Sequence, residues 1–262
     1  MVIAEMLGVE PERCDDFKKW ACDITLALAR YMSGRVTEEE RQQLHQSVNA
    51  LQTYIRDVIA ARYREPKDDL ISALVKAEEE DDEMLTPEEV FNLTIFIQYA
   101  GSDTTTSLIG NAVLALLAHP AELEKVRAHP SLLPNIVEET LRYDGPGQGF
   151  PRRTTREVEL SGTTIPAGAI VLPLFASASR DERKFPDPDR FDVTRNAEGH
   201  MGFAHGVHFC LGADVARLEA RLALEALFLR CPRFSRTSTP ITWVGGGPIH
   251  GPKNLPIAFA PQ

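Results

Sequence analysis

One predicted helix constrains the fold of this chain more than any other feature of its sequence. It begins at residues 86–89, where Thr-Pro-Glu-Glu forms a capping box with proline at the first helical position. It can continue to Ala118, which precedes a His-Pro pair, and would then be roughly 48 Å long. Because apolar residues lie on nearly every side, the sequence predicts a buried central helix that crosses a whole domain.

Polar residues interrupt this apolar helix near its middle. They are Gln98 and the run Ser-Asp-Thr-Thr-Thr at residues 102–106. Polar residues at the centre of a buried helix do not match its apolar surroundings, and such a mismatch is typical of functional sites. The centre of the helix is therefore a candidate functional site.

The rest of the chain predicts a mainly α fold with a minor β region. A capping box at residues 37–40 opens a second helix, which carries apolar residues every three or four positions and stops before Pro66. A long stretch with little periodicity covers residues 173–209, and such loops are usually functional. Further helices are predicted over residues 67–79, after Pro134 and over 213–230, and short strands near 158–160, 169–172, 241–244 and 255–259.

Charge and composition exclude several classes of protein. The formal charge of −10, from 28 basic and 38 acidic residues, argues against nucleic acid as the main partner. The 4 cysteines are too sparse for a disulfide scaffold. No stretch offers about 20 uninterrupted apolar residues for a membrane span, and the N-terminus lacks the basic segment of a targeting signal. We therefore expect a cytoplasmic protein with reduced thiols.

The densest group of reactive side chains lies at residues 200–212, where a loop is predicted to meet a helix. It contains His200, His205, His208 and Cys210. The helix dipole and free backbone N–H groups stabilise a thiolate just before a helix, and nearby glycines let a flat ligand approach closely. Two alternatives stay open on the residues alone. One is a buried cysteine beside surface histidines; the other is a zinc site, whose spacing matches none of the usual paired-ligand patterns.

Four segments, in order along the chain, resemble motifs of the cytochrome P-450 superfamily. Residues 203–212, with the pattern Phe-x-x-Gly-x-x-x-Cys-x-Gly, resemble its haem-ligand loop, and this pattern is highly specific. Residues 100–105, Ala-Gly-Ser-Asp-Thr-Thr, resemble the oxygen-activation motif of its long central helix. Residues 139–142 resemble its Glu-x-x-Arg motif, and residues 185–191 resemble the segment ahead of the ligand loop. The resemblance covers the chain and is closest to soluble bacterial members.

The resemblance implies a haem b cofactor, iron protoporphyrin IX, with Cys210 as the proximal ligand of the iron. A thiolate ligand pushes electron density to iron and favours O–O cleavage. Asp103 and Thr104 would form the distal acid–alcohol pair that delivers protons during oxygen activation, and Arg152 and His208 would bind the haem propionates. The other cofactor-binding positions that the resemblance implies are Ala100, Gly101, Phe203, Gly206 and Gly212.

Some of these residues have a structural alternative. The Thr104 hydroxyl can bond to the carbonyl of Ala100, four residues earlier, and Asp103 can be a surface or capping carboxylate. Gly101 predicts a local widening of the helix. The neighbour of Arg152, Arg153, would point to the opposite face of a strand and is the less favoured propionate partner.

Glu139 and Arg142 lie three residues apart on one helix face and can interact there. The resemblance implies that they join an arginine of the later loop in a buried structural network. Arg180 and Arg190 are the two candidates for that third member, and the sequence does not decide between them.

The resemblance begins well inside the family's usual length, so we expect an N-terminally truncated P-450 fold. It would be a single haem-thiolate domain fragment over residues 1–262, with a helical part (1–143), a mixed β and loop region around the haem ligand (144–212), and a final helix and strands (213–262). The absence of an N-terminal layer would expose apolar surface through which chains could associate.

The function implied is that of a monooxygenase, or its C-terminal core, inserting one atom of O2 into a small organic substrate. Ile97, Tyr99 and Ile109 would lie near the distal side. Electrons would come from a separate ferredoxin-type partner, because the chain has no flavin or nicotinamide motif. The alternative is a catalytically inactive fragment or an auxiliary partner protein, although such relatives typically lose the cysteine.

Overall fold

A computed structural model describes residues 2–33, 36–80, 84–244 and 247–259. These residues form two compact units, the first reaching to Thr104 and including Gly247, the second comprising the other residues. The helices are α1 (Val2–Met6), α2 (Cys14–Ser33), α3 (Glu38–Arg64), α4 (Leu70–Glu80), α5 (Pro87–Ala118), α6 (Pro120–Ala128), α7 (Leu133–Asp144), α8 (Phe175–Ala178) and α9 (Ala213–Arg230). The mainly α fold with a minor β region is confirmed, and the single-domain organisation stays a prediction.

The capping boxes fix two helix starts where the sequence predicts them. At the start of α3, Thr37 Oγ1 accepts from the Glu40 N–H at 3.2 Å, while Glu40 Oε2 accepts from the Thr37 N–H at 3.0 Å. The same reciprocal pair joins Thr86 and Glu89 before α5. The long helix α5 runs without interruption to Ala118, as predicted.

Each unit has its own apolar core. In the first, side chains that include Phe17, Leu51 and Ile55 are buried with those of α4 and the start of α5. In the second, the apolar residues of α6, α7 and α9 bury one another together with the end of α5. None of the helices within the described ranges is long and apolar enough to cross a membrane.

Short strands occur only as antiparallel pairs among the residues that the structure describes. The strands are β1 (Arg152–Arg153), β2 (Val158–Leu160), β3 (Thr163–Ile165), β4 (Ile170–Val171), β5 (Phe234–Arg236), β6 (Thr242–Trp243), β7 (Pro252–Asn254) and β8 (Ile257–Phe259). The pairs are β1 with β4, β2 with β3, β5 with β8, and β6 with β7. The sequence predicted four of these strands and missed their partners β1, β3, β5 and β7 as strands, although Arg152 was placed in a strand-like stretch.

A buried ion pair closes the turn after α1 and gives the first prediction. Arg62 Nε bonds to Asp69 Oδ2 at 2.6 Å and Arg62 Nη2 donates to the Gly8 carbonyl at 3.0 Å. Gly8 has φ +68°, and a Cβ there would lie 2.1 Å from Asp69 Oδ2. Gly8→Ala is therefore expected to lower the free energy of unfolding by roughly 2–3 kcal/mol, from left-handed strain plus a displaced hydrogen bond.

Gly168 supplies the matched control, because it has φ +79° and no heavy atom within 4 Å of the position of a Cβ. Gly168→Ala should lose only the backbone contribution of about 1–2 kcal/mol. Urea unfolding of both variants measures the difference. If Gly8→Ala and Gly168→Ala lost the same unfolding free energy, Asp69 would move away from the added methyl group at no cost, and the prediction would be wrong.

Candidate functional site

The loop before α9 presents the Cys210 thiol at the start of a helix. Ala204, with φ 61°, and Gly206, with φ +73°, bend the chain back on itself. The Cys210 N–H then donates to the Phe203 carbonyl at 3.0 Å, and Gly212 is the N-cap of α9. A non-glycine residue in the left-handed region persists only where its surroundings over-determine it. The loop therefore holds the cysteine in one defined place.

Exposed apolar side chains flank this thiol. Val207 is 99% and Leu211 80% exposed, on either side of the exposed Cys210. No heavy atom lies within 4 Å of a Cβ built at Gly206 or Gly212. A thiol donor, apolar neighbours and glycines that leave space beside the backbone fit a flat, apolar group bound through a metal. The chemistry of this loop thus fits haem.

The ionisation of Cys210 differs from the sequence-based expectation. Desolvation by the surrounding loop raises the pKa of the thiol, while a backbone hydrogen bond from Gly212 and the Arg217 guanidinium lower it. The net shift is upward. The backbone hydrogen bond at the helix start lowers the pKa as expected, but desolvation outweighs it.

The two predicted propionate partners lie in the same unit as Cys210. Arg152 is on β1, and its guanidinium donates to the carbonyls of Pro151 at 3.1 Å and Phe150 at 3.5 Å. Its neighbour Arg153 donates to the Gly168 carbonyl at 3.3 Å. His208 is exposed at the end of the turn Gly206–His208. Both predicted partners present a cationic or hydrogen-bonding group to solvent, as a carboxylate ligand requires.

Glu139 and Arg142 form a fully buried ion pair on α7. Arg142 Nε donates to Glu139 Oε2 at 2.7 Å and Nη2 to Oε1 at 2.9 Å. Arg195 Nε donates to Glu139 Oε1 at 3.3 Å, and the Asp192 N–H does so at 2.9 Å. Buried charges require partners on every side, so this network ties the segment around Asp192 and Arg195 to α7.

Arg195 is therefore the third member of the network, and both candidates from the sequence are wrong. Arg180 donates to the Tyr143 carbonyl at 2.6 Å and pairs with Asp189 at 2.9 Å. The backbone carbonyl of Arg190 accepts from Arg142 Nη2 at 3.1 Å, but its guanidinium pairs with Asp192 at 3.4 Å instead of Glu139. Four arginines within residues 173–209 look alike in sequence, and the fold of the loop selects among them.

The polar centre of α5 contains residues 100–105, which resemble the oxygen-activation motif. Thr104 Oγ1 donates to the Ala100 carbonyl at 2.7 Å, which is the bond of the structural alternative. The carboxylate of Asp103, which is half-buried, accepts from Cys22 Sγ at 3.9 Å. Gly101 lies in continuous α-helix rather than in a widened turn, and a Cβ there would meet Ile3 at 2.6 Å. In the structure Gly101 therefore serves close packing against Ile3, and the expected local widening is wrong.

A second carboxylate of α7 forms a cluster that the sequence did not reveal. Glu138 Oε1 accepts from Arg217 Nε at 2.7 Å, and Oε2 lies 3.1 Å from His200 Nε2. His200 Nδ1 accepts from the Gly202 N–H at 3.0 Å, so Nε2 carries the proton and donates to Glu138. The three side chains line a cavity of about 350 Å³ together with Phe203.

The zinc alternative for the histidines finds no support in this geometry. His200 uses both ring nitrogens in the hydrogen bonds with Glu138 and Gly202. Across residues 2–33, 36–80, 84–244 and 247–259, no three His, Cys, Asp or Glu side chains converge in a way that could hold a metal ion. Cys210 stays the candidate metal ligand, as a single protein donor.

The Glu138 cluster gives a pH prediction. Burial alone would raise the pKa of Glu138, but the hydrogen bonds from His200 and Arg217 lower it to about 2. A carboxyl group whose pKa is lowered in the folded state stabilises the fold at pH values above its ordinary pKa. This contribution to the free energy of unfolding is lost as the pH falls toward about 2. Because Glu138 is 31% exposed, we expect about 1–2 kcal/mol after screening.

Urea unfolding of the protein and of Glu138→Gln checks this contribution. The difference in unfolding free energy should be largest near about pH 6 and should shrink toward about pH 2. Groups that do not interact with Glu138 and titrate in both proteins cancel in the difference. A gap that stays constant or widens on acidification contradicts the prediction.

Comparison with known proteins agrees with the fold. The family model Cytochrome P450 matches residues 15–238. The chain is 38% identical over 258 residues to 6-deoxyerythronolide B hydroxylase of Saccharopolyspora erythraea, covering 98% of this chain and 62% of that protein. It is 40% identical over 260 residues to cyclomarin C epoxidase CymV of Salinispora arenicola, covering 99% of this chain and 65% of that protein.

A solved structure gives the same result. Cytochrome P450 CYP109Q5 from Chondromyces apiculatus superposes with a TM-score of 0.87 at 45% identity, over 100% of this chain and 63% of that one. The family model covers most of the chain and the solved structure shares its fold, so this chain belongs to the cytochrome P450 family. It spans about three fifths of the length of the curated relatives that it matches.

Proposed function

We propose that this chain is a haem-thiolate monooxygenase, or the core of one. It would insert one atom of O2 into a small organic substrate with electrons from a separate ferredoxin-type donor. The single observation that carries the proposal is the Cys210 thiol, presented between exposed apolar residues at the start of α9. The names of the two relatives support the reaction class, since hydroxylation and epoxidation both insert oxygen, while the molecules named differ.

The cofactor of the proposal is haem b, which supplies redox chemistry and O2 activation when it is bound. Cys210 Sγ would bind the iron, and Arg152 and His208 would bind the propionates. Phe203, Gly206 and Gly212 shape the proximal loop, and Ala100 belongs to the proposed distal surface. The resemblance implies the same place for Gly101, which packs against Ile3 in the structure. The Glu139–Arg142–Arg195 network keeps the segment that precedes the ligand loop in place. Separating these side chains would leave buried charges without a partner, which is strongly destabilising.

Thr104 and Asp103 are proposed to control proton delivery. The Thr104 hydroxyl proton is engaged by the Ala100 carbonyl at 2.7 Å, so its oxygen is free to accept rather than donate. We assign it the task of holding a proton donor, such as a water molecule, beside the reacting oxygen. Asp103, with its half-buried carboxylate, can relay protons to that donor from solvent.

The experiment that tests the proposed function is the absorbance of the haem-loaded, reduced protein under carbon monoxide. A thiolate ligand shifts the Soret band far to the red, and this shift is the expected result. A haem that binds without the shift, or a chain that binds no haem, would favour the alternative of an inactive fragment or auxiliary protein.

Removal of the Thr104 hydroxyl tests the proton-delivery roles. In the haem-loaded protein, Thr104→Ala should leave haem binding nearly intact, because alanine favours a helix. Without the ordered donor, protons arrive through uncontrolled water, and peroxide is released in place of product. Since general acid assistance is typically worth about 10²–10⁴ in rate, product per electron should fall at least about tenfold.

Thr94 offers a matched control on the same helix. Its hydroxyl donates to the Val90 carbonyl at 2.8 Å, four residues earlier, as the Thr104 hydroxyl does to Ala100. Thr94→Ala should keep coupling unchanged, and Thr104→Ser should restore most of it. Full coupling in Thr104→Ala would leave Thr104 with the helix-bonded structural role alone.

A further inference from the structure

The guanidinium of Arg217 lies between a carboxylate and an aromatic ring of the ligand loop. It is in the second turn of α9, seven residues after Cys210. Nε and Nη2 bond to the two oxygens of Glu138 at 2.7 and 3.2 Å, a bidentate pair. Cζ lies 4.6 Å from the centre of the Phe203 ring, within cation–π distance. The planar group thus has Glu138 as a bidentate partner and the Phe203 ring on its face, while Nη1 lies 3.5 Å from Asp214 Oδ1.

The ring of Phe203 connects this guanidinium to the cysteine. Phe203 is buried, and its carbonyl accepts the Cys210 N–H at 3.0 Å. The ring also contacts Phe209 edge to face, with centroids 6.3 Å apart. A displacement of the Phe203 ring would therefore move the backbone on which Cys210 depends.

Two neighbouring glutamates of α7 bind two different sets of side chains in the second unit. Glu139 turns inward and binds Arg142 and Arg195. Glu138 points to the ligand loop and binds Arg217 and His200. The side chains of adjacent helical residues point in directions about 100° apart, so one helix can take part in both networks.

We propose that Glu138 and Arg217 are positioning residues for the thiol ligand: Glu138 orients the guanidinium, the guanidinium holds the Phe203 ring, and the Phe203 carbonyl fixes the Cys210 backbone. The assignment rests on the proposed function, in which Cys210 is the iron ligand. It requires a planar, forked cation, because an ammonium group makes neither the bidentate pair nor the stacked contact in the same geometry.

Amide hydrogen exchange of the full chain without haem tests the assignment directly. In Arg217→Gln and in Glu138→Gln, the Cys210 amide should exchange at least about tenfold faster. Arg217→Lys should behave like Arg217→Gln, since it keeps the charge and loses the fork. Full protection in Arg217→Lys would overturn the proposal, and so would an unchanged Cys210 amide in Arg217→Gln.

Two controls separate positioning from a general loss of stability. Arg221, one turn further along α9, pairs with Glu225 at 3.8 Å, and Arg221→Gln removes the same charge without touching the loop. Its Cys210 amide should stay protected. Leu224, buried on the same helix, reports opening of the whole unit. Equal acceleration at Leu224 and Cys210 in Arg217→Gln would overturn the positioning role.

The haem-loaded protein supplies the second readout. The fraction of haem with the red-shifted, carbon monoxide-treated Soret band should fall at least about twofold in Arg217→Gln and stay unchanged in Arg221→Gln. If the variants lose exchange protection and every protein, the unaltered one included, gives an unshifted spectrum, the result contradicts the proposed function and still supports the positioning roles of Glu138 and Arg217. If the spectrum is unshifted only in variants that keep exchange protection, the result contradicts those positioning roles.

Discussion

Cys210→His is expected to abolish the red-shifted Soret band of the reduced, carbon monoxide-treated protein while part of the haem binding survives. An imidazole can take the place of the thiol as an iron ligand, but it does not push electron density to the metal as a thiolate does. The apolar neighbours Val207 and Leu211 are unchanged, and so is the loop that they flank. The loss of the signature should therefore be complete, while haem affinity declines only in part.

Cys231 provides the control for this substitution. It is half-buried beyond the end of α9, where its N–H donates to the Leu227 carbonyl at 2.8 Å. Cys231→Ser should leave both the spectrum and haem binding unchanged. If the signature persisted in Cys210→His, the ligand would be another cysteine, and the assignment of the loop would be wrong.

The helices could be predicted from the sequence because their signals are local. The capping boxes at Thr37 and Thr86 and the prolines that follow helix ends act within one turn of where they stand. The last helix begins at Ala213 and ends at Arg230, as the apolar spacing predicts. The four missed strands, of two or three residues each, are too short to show alternation, and their partners are up to 25 residues away.

Only those parts of the candidate site that lie within short sequence motifs could be predicted. The proposed haem-ligand loop and the pair Glu139–Arg142 are both short-range patterns in the sequence, and the structure confirms the pair. Arg195 and the Glu138–Arg217 pair depend on residues 56 and 79 positions apart, and nothing local marks them. Thr104 shows a further limit, because its bond to the Ala100 carbonyl is compatible with both roles considered for it.

Glu139→Gln is expected to destabilise the protein by about 3–5 kcal/mol, since it removes the carboxylate that the buried Arg142 shares with Arg195. Glu139 accepts four hydrogen bonds, from Arg142 Nε and Nη2, Arg195 Nε and the Asp192 N–H. A neutral amide cannot balance the Arg142 guanidinium, which is 1% exposed, and it places N–H groups where acceptors are needed. The free energy of unfolding of a typical protein is about 5–15 kcal/mol in total, so this loss is large.

The exposed ion pair between Glu124 and Arg127 on α6 is the matched control, with the Glu124 side chain 68% exposed. Glu124→Gln makes the same chemical change and should alter the free energy of unfolding by no more than about 1 kcal/mol. Urea unfolding of the two variants measures both values on one scale. A loss in Glu139→Gln as small as that in Glu124→Gln would mean that water reaches Arg142 and Arg195. The network would then not be what fixes the segment ahead of the ligand loop, and the support of Cys210 would have to come from the Glu138 side of α7 alone.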